Sequence, residues 1–143
     1  MKGLNTVWSC DGHDKLALWG FQIYGIIDAY LRKIIHLFVG ISNRTLIACQ
    51  KYYLMAVEVY GFLELLRSDM GTETLLMAEC QGHFREEQNG KELEVNEYHI
   101  FGPSVFNIRI ESWWGWMTTA QTGQWRELFQ QYTNAGEFRK KNR

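Results

Sequence analysis

Apolar and polar residues in the first part of the chain form short runs that predict three consecutive β-strands. The runs TVWSCD, LALWGFQIYGIID and KIIHLFVGI are rich in β-branched and aromatic residues. Turn-forming residues at 12–14 and 28–30 separate these runs. Because strands joined by tight turns pair in opposite directions, we expect an antiparallel meander.

The pattern then changes to helical spacing, interrupted by one further strand. Apolar positions predict a helix over residues 45–60, preceded by a cap at Ser42 or Asn43 and closed by Gly61. The run LELLRSD predicts a buried fourth strand, and residues 73–81 predict a second helix. A densely charged stretch at about 82–97 is predicted to be an exposed insertion. Helical spacing returns over 107–119 and 124–132, before the basic tail FRKKNR.

This order of elements predicts an α/β fold with a mixed sheet, in which an antiparallel three-strand meander and parallel strands are flanked by helices. A doubly wound nucleotide-binding fold would alternate strands and helices from its start, and this chain does not. Gly20 and Gly25 lie within a strand pattern, which argues against a glycine-rich phosphate loop. We therefore expect a single domain over residues 1–143.

Composition supports a folded domain and restricts its partners. Hydrophobic residues make up 46% of the 143 residues and aromatic residues 15%, which argues against disorder. The formal net charge of −1 lacks the basic excess of a stand-alone DNA-binding protein, so any DNA contact has to come from local patches, metal ions or another subunit. Three cysteines without tandem spacing indicate a reducing, intracellular location. No signal peptide or membrane-spanning segment is expected.

Three acidic residues are placed where metal-dependent chemistry needs them. Asp11 ends or nearly ends the predicted first strand, Asp69 ends the fourth, and Glu111 lies on the late helix. Polynucleotidyl transfer uses two divalent cations about 4 Å apart. Magnesium prefers oxygen ligands and takes few of them from the protein. If the first and fourth strands are parallel neighbours, the two aspartates lie side by side.

The local sequences around these acids are distinctive. VWSCDGHDK, GIIDAYLRKII, LLRSDMGTET and NIRIESWW, in this order between Trp8 and Trp116, resemble the integrase core family. These are the DDE-type recombinases of retroviruses, retrotransposons and transposons, and the similarity is greatest to a eukaryotic branch. The resemblance implies a ribonuclease-H-like fold and in-line displacement at phosphorus, in which water or a 3′-hydroxyl attacks DNA.

Residue roles follow from the resemblance, position by position. It implies that Asp11, Asp69 and Glu111 are catalytic metal ligands for two Mg²⁺ (or Mn²⁺) ions. His13 would contact substrate or support the metal site. Four further positions match the family and would support the site or bind substrate, namely Gly71, Glu73, Asn107 and Arg109. The reaction implies DNA as partner, a homo-oligomer because two DNA ends must be joined, and a nuclear location in a eukaryotic host.

Several alternatives remain open at this stage. A domesticated, inactive domain could use the same scaffold to bind nucleic acid or a protein. A ribonuclease would have to recognise the 2′-hydroxyl, and no residue pattern supports this. Two C-x-x-H pairs suggest a zinc site, and three tryptophans of the late helix either pack against the sheet or stack on bases. Asp14 is interpreted as a turn residue, and Asp28 as a turn residue or a salt-bridge partner, so that neither is counted among the metal ligands. The residues of the zinc and tryptophan alternatives are Cys10, His13, Cys80, His83, Trp113, Trp114 and Trp116.

Overall fold

The computed structural model describes residues 3–13, 15–41, 46–69, 74–102 and 108–137, without the side chains of residues 46, 47, 108 and 109. Its strands are β1 (Val7–His13), β2 (Gln22–Asp28), β3 (Lys33–Gly40), β4 (Leu65–Ser68) and β5 (His99–Phe101). Its α-helices are α1 (Leu46–Tyr60), α2 (Leu75–Asn89), α3 (Ile108–Met117) and α4 (Gly123–Asn134). A π-helical segment, Thr118–Thr122, joins α3 to α4.

The five strands form one mixed sheet in the order β3-β2-β1-β4-β5. β1, β2 and β3 pair antiparallel as the predicted meander, whereas β4 is parallel to β1 and β5 is parallel to β4. The predicted mixed α/β architecture is therefore confirmed, and it is consistent with a ribonuclease-H-like fold.

Alternation along β1 sends its side chains to two different hydrophobic clusters. Trp8 and Cys10 are buried on one face, in a cluster with residues of α1 and α2. On the other face, α3 packs on β1 and β2, and a second cluster forms there from residues such as Ile27, Ile110 and Trp114. Because side chains alternate along a strand, Asp11 and His13 lie on the α3 face. The polar residues of β1 thus face the helix that carries the third predicted acid.

The structure corrects several element boundaries. The predicted second strand was wrong over residues 16–21, where a 3₁₀ turn, Ala17–Trp19, ends at Gly20 with φ of 88°. α2 continues past residue 81 to Asn89, so the first half of the charged stretch is helical. The short strand β5 was not predicted. None of the helices within the described residues is long and apolar enough to cross a membrane.

Asp28 is a turn residue, as predicted. Its buried carboxylate accepts hydrogen bonds from the backbone N–H groups of Tyr30 and Leu31, at 3.0 and 2.9 Å, and from that of Asn5 at 2.9 Å. These bonds fix the β2–β3 turn against the start of the chain. Asp14 lies outside the described residues.

Candidate active site

The sheet brings two of the predicted acids next to each other. β1 and β4 run parallel with Ser9 opposite Arg67. Continuing this register by two residues places Asp69, which directly follows β4, beside Asp11. Two acids that are far apart in sequence therefore become neighbours because their strands are parallel and adjacent.

Glu111 approaches the same place from the opposite layer. It lies in the first turn of α3 and is exposed, whereas Asp11 is only 9% exposed on the sheet beneath. Ile110, immediately before it, is fully buried and packs α3 against the sheet. This packing orients the helix so that the Glu111 carboxylate reaches the Asp11 carboxyl and forms a hydrogen bond with it.

The clustered charges change the chemistry of Asp11. Its pKa is raised from 3.8 to about 8, first by burial, then by the hydrogen bond to Glu111 and by the negative charges of Glu111 and Asp69. A hydrogen bond from the Gly12 backbone acts in the opposite direction and lowers the pKa. Carboxyl groups that share one site are expected to raise each other's pKa in this way, through hydrogen bonds to the protonated form and through repulsion between negative charges. Without a cation, Asp11 is therefore protonated near neutral pH, and its O–H donates a hydrogen bond to the Glu111 carboxylate.

The arrangement of these acids differs from that of a preformed metal-binding site. Within the described part of the chain, no group of three or more His, Cys, Asp or Glu side chains is arranged to hold a metal ion. Asp11 and Glu111 are instead joined directly by a hydrogen bond between their carboxyl groups. The donors are nevertheless oxygen atoms of the kind that magnesium prefers.

The model of the integrase core domain family matches residues 1–143, which is the full chain. The chain belongs to the integrase core domain family. Integrase core domains belong to the polynucleotidyl transferase superfamily, bind DNA and generally use divalent metals. No curated protein matches the chain.

His13 has a packing role in this integrase core. Its ring is buried and stacks on Trp114 of α3, with ring centroids 4.9 Å apart and planes 15° apart. Its Nε2 atom also lies 3.3 Å from the hydroxyl oxygen of Thr118. Trp114 in turn covers Gly25, where an added Cβ would lie 2.6 Å from the indole ring. His13 thus helps to hold α3 over the acids, and its suggested contact with substrate stays a prediction.

The remaining predicted site residues are not placed by the described structure. Gly71, Glu73 and Asn107 lie outside the described residues, and Arg109 is in α3 but its side chain is not described. Their roles stay predictions. Sequence reasoning missed Gly25 and Thr118 as supports of the site. A glycine inside an apolar strand is a sign of close approach by another group, which is the signal that could have found Gly25.

The two C-x-x-H pairs do not converge. Cys10 is buried on the α1–α2 face, where its thiol donates to the Arg67 carbonyl at 3.3 Å, whereas His13 lies on the α3 face. Cys80 accepts a hydrogen bond from Gln50 at 3.1 Å, and His83 is exposed beside Glu87. These positions give no support to a shared zinc site.

Proposed function

We propose that this integrase core catalyses DNA strand cleavage and strand transfer, and that Asp11, Asp69 and Glu111 are its catalytic residues. The observation that carries the proposal is that Asp11 lies buried beside Asp69 and hydrogen-bonded to Glu111, so that burial and the two neighbouring carboxyl groups together raise the pKa of Asp11 to about 8. A carboxyl group whose pKa is strongly raised by burial together with specific charged neighbours is typical of functional sites.

The cluster fits divalent cations. Asp11 and Asp69, held by adjacent strands, would be the rigid ligands, and Glu111 would complete the set from α3. When bound, two Mg²⁺ or Mn²⁺ ions would lower the pKa of the attacking water or hydroxyl and offset charge on the reacting phosphate. The chain's own contribution is to concentrate negative charge at one edge of the sheet and to keep Asp11 and Glu111 together through their shared proton until a cation is present.

The test is a metal-dependent reaction on DNA oligonucleotides. We expect nicking and strand transfer with Mg²⁺ or Mn²⁺, absent with EDTA and lost in Asp69→Asn. Glu79→Gln is the matched control, because Glu79 is an exposed acid on α2, the helix that packs on the opposite face of the sheet. The control variant should retain the wild-type rate.

Metal binding is measured separately from activity. A cation at a hundred times its dissociation constant should stabilise the wild type by about 2.7 kcal/mol. Asp69→Asn should lose most of this stabilisation, whereas Glu79→Gln should keep it. A folded protein that shows neither reaction nor metal stabilisation would refute the proposal in favour of a catalytically inactive scaffold. Joining two DNA ends would also require a homo-oligomer, which sedimentation with DNA tests.

A further inference from the structure

A cleft of about 520 Å³ lies beside α3, and the catalytic proposal does not use it. Its lining residues are Ile27, Arg32, Ser112, Trp113 and Trp116. Since each residue of an α-helix turns by about 100°, Trp116 lies about 140° around α3 from Glu111. The cleft and the acid cluster are therefore on different sides of the same helix. The volume is within the range of about 300–1,000 Å³ that is usual for ligand pockets.

The two indoles of the cleft are available for stacking to different degrees. Trp116 is 61% exposed, and its ring lies 6.0 Å from that of half-buried Trp113, with an angle of 48° between the planes. Trp114 is different, because it is 3% exposed and packs on His13 and Gly25. Of the three tryptophans, Trp114 thus serves packing, and Trp116 presents an aromatic surface to solvent. Removing Trp116 should leave the fold intact.

The cleft is also suited to a negatively charged ligand. None of its five lining residues is acidic, and exposed Arg32 forms no ion pair with any other described residue. Arg32 follows the turn that Asp28 holds through Tyr30 and Leu31, so its backbone is fixed at the edge of the cleft. A guanidinium group can bind a phosphate through two parallel hydrogen bonds.

We propose that this cleft binds an unpaired nucleotide of the DNA substrate, with the base stacked on Trp116 and the phosphate bound by Arg32. The inference rests on the proposed function, because it assumes that DNA reaches the acid cluster. Base pairs inside a duplex are covered on both faces by their neighbours, so an indole surface selects unpaired bases. A helix is about 10–12 Å across and stacked nucleotides are spaced by about 3.4 Å, so we expect this nucleotide within about three positions of the phosphate at the acids.

The experiment compares two DNA probes that differ only in an unpaired end. One is a blunt duplex, and the other carries a short 3′ overhang with the fluorescent base 2-aminopurine at its third unpaired position. Affinity and fluorescence are measured in EDTA with the Asp69→Asn protein, so that no cleavage occurs. This background is combined with Trp116→Ala, Trp116→Phe or Trp125→Ala. Trp125 is the control because it is 53% exposed but lies on α4 and outside this cleft.

We expect Trp116→Ala to weaken binding of the overhang probe by about five-fold or more, the lower end of what one stacked base contributes. Binding of the blunt duplex should not change, and the quenching of 2-aminopurine should be lost. Trp116→Phe should retain most of both signals, and Trp125→Ala all of them. Unchanged affinity in Trp116→Ala overturns the proposal, and so does an equal loss for both probes.

Two further results separate this proposal from others. If Trp116→Ala instead abolishes concentration-dependent self-association, seen by sedimentation without DNA, the cleft is a protein interface and the proposal fails. If the overhang is bound through Trp116 but Mg²⁺-dependent cleavage by the otherwise wild-type chain is absent, the catalytic proposal fails and the binding site stands. If cleavage occurs but neither cleavage nor overhang binding changes in Trp116→Ala, the catalytic proposal stands and only the proposed binding site is refuted.

Discussion

Replacing Asp11 by asparagine should stabilise the metal-free protein by an amount that grows with pH. The variant keeps the size of the side chain and removes the carboxyl group whose pKa is raised from 3.8 to about 8 in the fold. Because the folded pKa is the higher one, the folded protein holds this proton while the unfolded chain loses it. The linkage therefore lowers wild-type stability as pH rises from about 4 to about 8.

The size of this change in stability follows from the shift in the pKa of Asp11. One pKa unit corresponds to about 1.36 kcal/mol, so wild-type stability should fall by about 2–3 kcal/mol between pH 5 and pH 7 from Asp11 alone. Burial lowers the pKa of His99 to about 4, and this acts in the opposite direction, because its stabilising effect is present at neutral pH and lost as pH falls. Asp11→Asn retains His99, so the difference between the two proteins isolates Asp11.

The assay is urea denaturation followed by circular dichroism at pH 5, 6, 7 and 8 in EDTA. The stability advantage of Asp11→Asn over the wild type should increase by about 2–3 kcal/mol from pH 5 to pH 7. If the acids bind cations as proposed, addition of Mg²⁺ should reduce that advantage, since a cation would replace the shared proton only in the wild type. An advantage that stays constant over this pH range would refute the proposed coupling of Asp11 to Glu111 and Asp69.

Two further substitutions test the surroundings of Asp11. Glu111→Gln removes one negative charge and should lower the pKa of Asp11 towards, but not to, 3.8, since burial remains the largest cause; carboxyl carbon NMR measures this. Gly25→Ala should destabilise the fold by about 1–3 kcal/mol in thermal unfolding, because the new methyl would overlap the Trp114 ring. Gly115→Ala, whose added methyl meets nothing within 4 Å, should instead be neutral or stabilising. Equal effects of the two alanines would contradict the packing argument.

The sheet could be predicted from sequence where residue pattern and element length agree. β1, β3 and the meander follow from β-branched and aromatic runs between turns. The start of β2 was misplaced because Leu16 and Phe21 extend the apolar run, although the chain turns at Gly20. β5 has three residues, too few for a periodic signal, and it exists because β4 offers it a parallel partner. Such long-range pairing is not encoded in a local pattern.

The proximity of the three candidate acids could be predicted from sequence, but the ionisation of Asp11 could not, and the roles of these residues stay predictions. Motifs around Asp11, Asp69 and Glu111 identified the acids, and the adjacency of Asp11 and Asp69 follows once β1 and β4 are parallel neighbours. The shared proton depends on how deeply Asp11 is buried and how α3 is oriented, and the latter is set by Trp114 packing on Gly25 and His13. Burial and helix orientation depend on the tertiary structure, so they cannot be predicted from a short stretch of sequence.

The parallel pairing of β1 with β4 has a consequence for folding. The chain between these strands contains β2, β3 and α1, so β1 and β4 are far apart in the sequence although they are neighbours in the sheet. Contacts between residues that are far apart in sequence form slowly during folding. A nascent or truncated chain that ends before β4 contains Asp11 but lacks Asp69 and Glu111. The proposed metal affinity should therefore emerge in a single late step of refolding, together with the last cooperative phase and not with early collapse.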